Sequence, residues 1–318
     1  MPSGGGLLKI AVMGTGAVGG YFGGRLAQAG EDVAFIARGR QLAALRERGL
    51  RIESPRGDLQ LQPVRATADP AGIGPVDLVI FTVKLWSTEE AAGQLTPLIG
   101  PDTAVMSLQN GVEANDSLAR GVGRDHLMGG ICYIAASLEE PGVVRQSGPM
   151  ARLVFGESGG RNTQRAQALL AACARAKAWF DAELSTDIDR VLWEKFVFIV
   201  GLSGMTALTR KPIGPIRSDP DTRAMLLDVL REAVAVGRAR GVDLAPDFAE
   251  QRLAFADTLP PGMTSSMHND LERGNRLEVP WLSGAVVRLG RAAGVPTAAN
   301  RAVYAALKLH ADGSAPPT

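Results

Sequence analysis

The stretch KIAVMGTGAVGGYFGGRLAQAG, residues 9–30, decides how the first part of the chain folds. A short β-rich run leads directly into Gly14, Gly16 and Gly19, spaced GxGxxG, and a segment of helical period follows. In a strand-turn-helix unit the first glycine permits a tight turn, and the second lets a pyrophosphate approach the backbone. The third allows close helix-to-strand packing. The expected cofactor contacts are therefore Gly14, Thr15, Gly16, Ala17, Val18 and Gly19, whose N–H groups gather at a helix N-terminus. A glycine-rich turn serving another ligand, or none, is the alternative that the motif alone leaves open.

Working outward, EDVAFIA, VDLVIFTVK, TAVMSLQ and HLMGGICYIAA read as further strands. Helical stretches such as STEEAAGQLTPLIG separate them, and this alternation predicts a parallel, doubly wound sheet of the Rossmann type. PGVVRQSGPMARLVFG reads as two strands around a Ser-Gly-Pro turn, a hairpin at the sheet edge. NTQRAQALLAACARAKA then predicts a helix and AWFDAEL a last strand. Beyond Asp187 strand signals almost vanish. DIDRVLWEKFVFIV, DPDTRAMLLDVLREAVAVGRARG and VPWLSGAVVRLGRAAG are helical by period, with Asp219 before Pro220 as a start and Gly241 as a stop. The chain of 318 residues exceeds the size at which one core usually stops growing. An α/β domain over residues 1–187 and an all-α domain over 188–318 are expected. The small, polar ends MPSGGG and ADGSAPPT are expected to be mobile.

Thirty-four Lys and Arg balance thirty-three Asp and Glu, so no broad field favours nucleic acid or an anionic membrane. The start lacks a basic segment ahead of a long apolar run, so no signal peptide is expected. The longest apolar run, Phe196 to Leu202, falls far short of the roughly 20 residues of a membrane span. Cys132 and Cys173 have no paired CxxC spacing, and His126, His268 and His310 are dispersed, so neither a disulfide framework nor a metal site is expected. A soluble, cytoplasmic protein acting on a small molecule is the resulting expectation, with homodimer formation left open.

The second strand ends FIARGR, where NAD-specific sites carry an acid for the ribose 2′-hydroxyl. Arg38 and Arg40 follow instead. A guanidinium welcomes a 2′-phosphate that a carboxylate would repel, so NADPH is the expected cofactor, a solvated arginine pair being the alternative. Lys84 and Asn110 follow the next two strands at their carboxyl ends, where ligands of open α/β sheets bind. A loop lysine and an Asn-Gly turn account for the same residues equally well.

One cation sits in the most apolar run of the chain, VLWEKFVFIVGLSG, residues 191–204. Lys195 shares a helical face with Ile199, Leu202 and Ser203. It must snorkel to water, pair with a carboxylate, or work in a cleft. Glu278, in LEVP, could simply favour the positive end of a helix starting near Pro280. His268 reads as a surface histidine.

GTGAVGGYFGGRLAQAG, FTVK, LQNGV, LEEPGVVRQSG with LVFGE, LWEK, and SSMHNDLERGN followed by LEVPWLSGAVVRLGRAAGVPT together resemble the ketopantoate reductase family. The resemblance runs from about Leu8 to about His310. It implies a Rossmann domain, a helical domain, an active site in the cleft between them, and reduction of 2-dehydropantoate to (R)-pantoate by NADPH. It further implies Lys195 as general acid and Glu278 as support for substrate and lysine. Ser266 is implied as a substrate contact, Asn110 as near nicotinamide and substrate, and Arg38 and Lys84 as cofactor contacts. Family members usually carry asparagines four and eight residues after the lysine, where they help bind the substrate's polar end. Here Ile199 and Ser203 occupy these substrate-binding positions. Such a change can redirect a site to a different 2-oxo acid, one with a more apolar side chain. A non-catalytic NADP(H) sensor is a third possibility, against which the retention of both Lys195 and Glu278 stands.

Overall fold

A computed structural model describes residues 6–314. The expected end segments therefore lie partly outside the described residues. The chain divides into two compact units, one comprising residues 1–109 and 114–189, the other 110–113 and 190–318.

The first unit is built on a ten-stranded sheet. Its strands are β1 Lys9–Met13, β2 Asp32–Ile36, β3 Leu50–Glu53, β4 Leu59–Leu61, β5 Arg65–Thr67, β6 Leu78–Phe81, β7 Ala104–Ser107, β8 Leu127–Glu140, β9 Val143–Gly156 and β10 Asp181–Leu184. The order is β4-β3-β9-β8-β7-β6-β1-β2-β5, with β10 beside β9. β1 pairs in parallel with both β2 and β6, so the chain reverses its winding direction at β1. In open α/β sheets ligands bind outside the carboxyl ends of the strands at such a reversal. β1 is buried on both faces: Ile10 and Val12 feed one core, Ala11 and Met13 the other. Two covered faces explain why its sequence is a continuous apolar run rather than an alternation. The helices of this unit are α1 Ala17–Gln28, α2 Gly39–Arg48, α3 Thr88–Ala92, α4 Ala114–Val122 and α5 Gln164–Arg175.

The doubly wound expectation holds, with two local corrections. PGVVRQSGPMARLVFG is not a hairpin around Ser-Gly-Pro. β9 runs unbroken through Ser147, Gly148 and Pro149, and the reversal lies at Pro141–Gly142, where Gly142 has φ +86°. The extra residues are absorbed as a register shift against β8 at Ile134/Ala135. β9 is also no edge, since it pairs with β8, β3 and β10. In STEEAAGQLTPLIG the helix stops at Ala92, and only a 3₁₀ turn, Thr96–Leu98, follows around Pro97. Proline has no N–H to continue an α-helical ladder.

The second unit's described residues contain α6 Ile188–Thr209 from Arg190 onward, α7 Ile213–Ser218, α8 Pro220–Ala239, α9 Phe248–Thr258, α10 Ser266–Glu272, α11 Ser283–Ala293 and α12 Ala298–Leu307. α8 starts as its sequence predicts: Pro220 occupies the first turn and the Asp219 carboxylate accepts the Thr222 N–H at 2.9 Å. α6 is the core helix. Its 22 residues and a mean hydropathy of 1.5 would suffice for a membrane span, a length the uninterrupted apolar run does not reveal because Glu194 and Lys195 interrupt it. Phe196, Val197, Val200 and Met205 are at most 1% exposed within the helical core, which accounts for that hydropathy by burial in protein.

Candidate active site

In the first unit the turn after β1 is held rigidly. The N–H groups of Gly14 and Thr15 both donate to the Ile36 carbonyl at 3.2 Å, and the Thr15 hydroxyl donates to the same oxygen at 3.1 Å. Gly14 has φ +95°, and a Cβ there would lie 2.7 Å from the Val83 nitrogen. A Cβ on Gly19 would lie 2.5 Å from the Gly14 carbonyl oxygen, so the third glycine permits the close helix-to-strand packing. Gly16 differs: a Cβ there would meet nothing within 4 Å. It is also the N-cap of α1 and offers no side-chain acceptor to the helix. The open space at Gly16 and the uncapped first turn fit a pyrophosphate, and Gly14, Thr15, Gly16, Ala17, Val18 and Gly19 make up the candidate cradle.

Two supports of this cradle carry no motif of their own and escaped the sequence reading. Thr82 donates from Oγ1 to the Gly14 carbonyl at 2.6 Å. Gln41 donates from Nε2 to the Thr15 carbonyl at 2.8 Å and accepts the Gly142 N–H at 2.9 Å, tying the turn to the start of β9. Elsewhere in the unit Gln109 donates to the Val83 carbonyl at 2.7 Å and the Thr88 hydroxyl at 2.8 Å, joining the segments that follow β6 and β7. Thr82 and Gln109 were legible only as neighbours of Lys84 and Asn110.

Arg38 is the exposed N-cap residue of α2, and its Nη1 lies 2.6 Å from Glu90 Oε1. Arg40 is exposed two residues later. Lys84 is exposed at the end of β6, with Nζ 5.6 Å from the centre of the Trp86 ring.

In the second unit three side chains from distant parts of the chain meet. Lys195 Nζ donates to Asn110 Oδ1 at 3.1 Å, and Asn110 Nδ2 donates to Glu278 Oε2 at 3.4 Å. The amide orientation follows from chemistry: its oxygen faces the ammonium and its NH₂ faces the carboxylate. All three residues are half-buried. Residues 110–113 are fastened to this unit in two places. Gly111, at φ +94°, runs so close that a Cβ would lie 3.3 Å from the Trp281 carbonyl. Glu113 pairs with Arg288 at 2.6 Å, and Arg288 also donates to the Pro280 carbonyl at 2.8 Å. Asn110 thus belongs with Lys195 and Glu278.

Glu278 begins the 3₁₀ turn Val279–Trp281 without a side-chain capping bond, so its carboxylate is directed to Asn110 rather than to the turn. Ile199 and Leu202 are partly buried against the helical core, and Ser203 is 6% exposed. In the Ser-Ser-Met segment the buried residue is Ser265, which caps α10 by accepting the His268 N–H at 3.0 Å and meets the Thr206 hydroxyl at 2.9 Å. Ser266 is exposed at the first position of α10. His268 Nδ1 lies 2.8 Å from the Thr206 carbonyl, a structural bond that accounts for this residue.

A phosphate-cradling turn on a doubly wound sheet, followed by a helical unit that gathers a lysine, an amide and a carboxylate, is the layout of a nicotinamide-dependent oxidoreductase. Residues 10–160 match the ketopantoate reductase PanE/ApbA family, and residues 187–311 match its C-terminal domain. The chain belongs to the ketopantoate reductase family. It is 30% identical to the Bacillus subtilis protein named uncharacterized oxidoreductase YkpB, over 95% of this chain and 99% of that one. It is 31% identical to the 2-dehydropantoate 2-reductase of Mesorhizobium japonicum, over 95% and 97%. The crystal structure of a PanE/ApbA family ketopantoate reductase from Ralstonia eutropha superposes with a TM-score of 0.85 at 36% identity, covering 95% of this chain and 97% of that chain.

Proposed function

We propose that the protein reduces 2-dehydropantoate to (R)-pantoate with NADPH, residues 1–187 binding the cofactor and 188–318, joined by Asn110, supplying substrate contacts and catalysis. The observation that carries this is the hydrogen-bonded set Lys195, Asn110 and Glu278. Gly14 to Gly19, Arg38 and Lys84 would hold NADPH, Arg38 through its 2′-phosphate, and the bound cofactor would supply the hydride for C2 of the ketone. Negative charge then develops on the ketone oxygen. The Lys195 ammonium stabilises that charge and transfers its proton to the oxygen, and solvent reprotonates the amine. Asn110 holds Nζ in place through Oδ1, and Glu278 holds the Asn110 amide in the orientation that keeps Oδ1 toward the lysine. Ser266 and Ser203 provide hydroxyls for the substrate's polar end.

A second substrate is favoured by one observation. Ile199, a helical turn beyond Lys195, is apolar and packs on the core, where the family's usual amide would bond the substrate. A 2-oxo acid with a more apolar side chain suits it better, because discrimination by a hydrogen-bonding site is lost with the bond. Oxidation of NADPH with 2-dehydropantoate beside a panel of 2-oxo acids separates the two. Preference for 2-dehydropantoate supports the first reading and preference for an apolar acid the second. Silence on every acid, with NADPH bound, overturns both and leaves a sensor.

A further inference from the structure

The sequence lacks an acid at the end of β2, yet the fold delivers one. Arg38, immediately beyond β2, is paired with Glu90 on α3, fifty-two residues away in the chain, at 2.6 Å. The two side chains are 57% and 63% exposed. An ion pair this open to solvent adds little to stability, so it can be exchanged without loss of the fold.

Resting on the cofactor reading above, we propose that Glu90 is a specificity-determining residue that sets how strongly the site prefers a 2′-phosphorylated dinucleotide over an unphosphorylated one. The Glu90 carboxylate takes the Nη1 donor of Arg38 through a single hydrogen bond, and a 2′-phosphate gripped by the fork of the guanidinium needs that donor too. NADPH must therefore displace the carboxylate and then lie beside it, a dianion next to an anion. A ribose 2′-hydroxyl makes no demand on the guanidinium, so NADH leaves the pair intact. Glu90 thus narrows the discrimination that Arg38 creates.

α3 also contains an internal comparison. Glu89 carries the same charge one position earlier but pairs with Arg120 at 3.2 Å. Its removal changes the net charge equally without touching Arg38.

The test is direct binding of NADPH and NADH to the full chain and to Glu90→Gln, Glu89→Gln and Arg38→Ala. Glu90→Gln is expected to tighten NADPH about threefold to tenfold, the range for a solvent-screened charge against a dianion. NADH should stay within about twofold, and Glu89→Gln should leave both within about twofold. An unchanged NADPH affinity in Glu90→Gln, or an equal shift in Glu89→Gln, overturns the proposal. Arg38→Ala distinguishes that failure from a failure of the underlying cofactor assignment. If Arg38→Ala weakens NADPH but Glu90→Gln is silent, only the role of Glu90 falls. If Arg38→Ala leaves NADPH unchanged, Arg38 does not hold the phosphate and both fall.

Discussion

The two candidate sites are made of different material. The cradle in the first unit is backbone: three glycines and a helix N-terminus within the single stretch 14–19. The cluster in the second unit is side chain: Asn110, Lys195 and Glu278 come from segments 85 and 83 residues apart. A backbone site is damaged by adding atoms, whereas a side-chain site is damaged by removing them. Each region should therefore fail under the substitution the other tolerates.

The largest expected effect is the loss of the proposed proton donor. Lys195→Ala should lower kcat by about 10² to 10⁴-fold, measured as NADPH oxidation at saturating substrate, while cofactor affinity is retained. Near-normal turnover would return Lys195 to the role of a cation that merely reaches for solvent from an apolar helix.

Adding one methyl group to the cradle comes next. Gly16→Ala should fold as the parent does, because its Cβ meets nothing within 4 Å, yet weaken NADPH by about 10- to 100-fold through the loss of a charge-assisted bond to phosphate. Gly19→Ala should do the opposite. Its Cβ would press on the Gly14 carbonyl, so stability should fall by about 1–3 kcal/mol, seen as a lower Tm. Equal thermal stability of the two variants would show that the glycines are not divided between ligand access and packing.

Removing the bridge in the second unit should cost less than removing the donor. Asn110→Ala is expected to reduce kcat about tenfold, and Asn110→Ala with Lys195→Ala to be no worse than Lys195→Ala alone. Additive losses would mean that Asn110 does not act through the lysine. The smallest effect is reserved for Ile199→Asn. This change should shift the kcat/KM ratio toward 2-dehydropantoate and away from apolar 2-oxo acids by about two- to tenfold, the value of one hydrogen bond. An unaltered ratio would remove Ile199 from the substrate contacts.

Legibility followed the same division. GxGxxG was readable because its meaning lies in consecutive residues and the strand and helix that flank them. Thr82, Gln41 and Gln109 were not, because a threonine or glutamine says nothing until the fold shows which carbonyl it faces. The hairpin expected at Ser-Gly-Pro was misplaced for a related reason. Those residue types signal a turn locally, but pairing with β8 on one side overrides the signal and absorbs it as a register shift. Lys195 stood out as a lone cation in an apolar helix, but the residue types alone favoured a lysine snorkelling to water over one paired in a cleft.

The sequence by itself determined the class of fold, because alternating strand and helix periods followed by helices alone admit few architectures, and it located the glycine turn between β1 and α1. Only the tertiary structure decided that Asn110 joins the helical unit, that Glu278 turns away from its own 3₁₀ turn, and that Glu90 stands against Arg38. The physical reason is range. Periodicity and turn chemistry act over a few neighbouring residues, whereas hydrogen bonds and ion pairs join whatever groups the packed chain brings within 3 Å or so, irrespective of their distance in sequence.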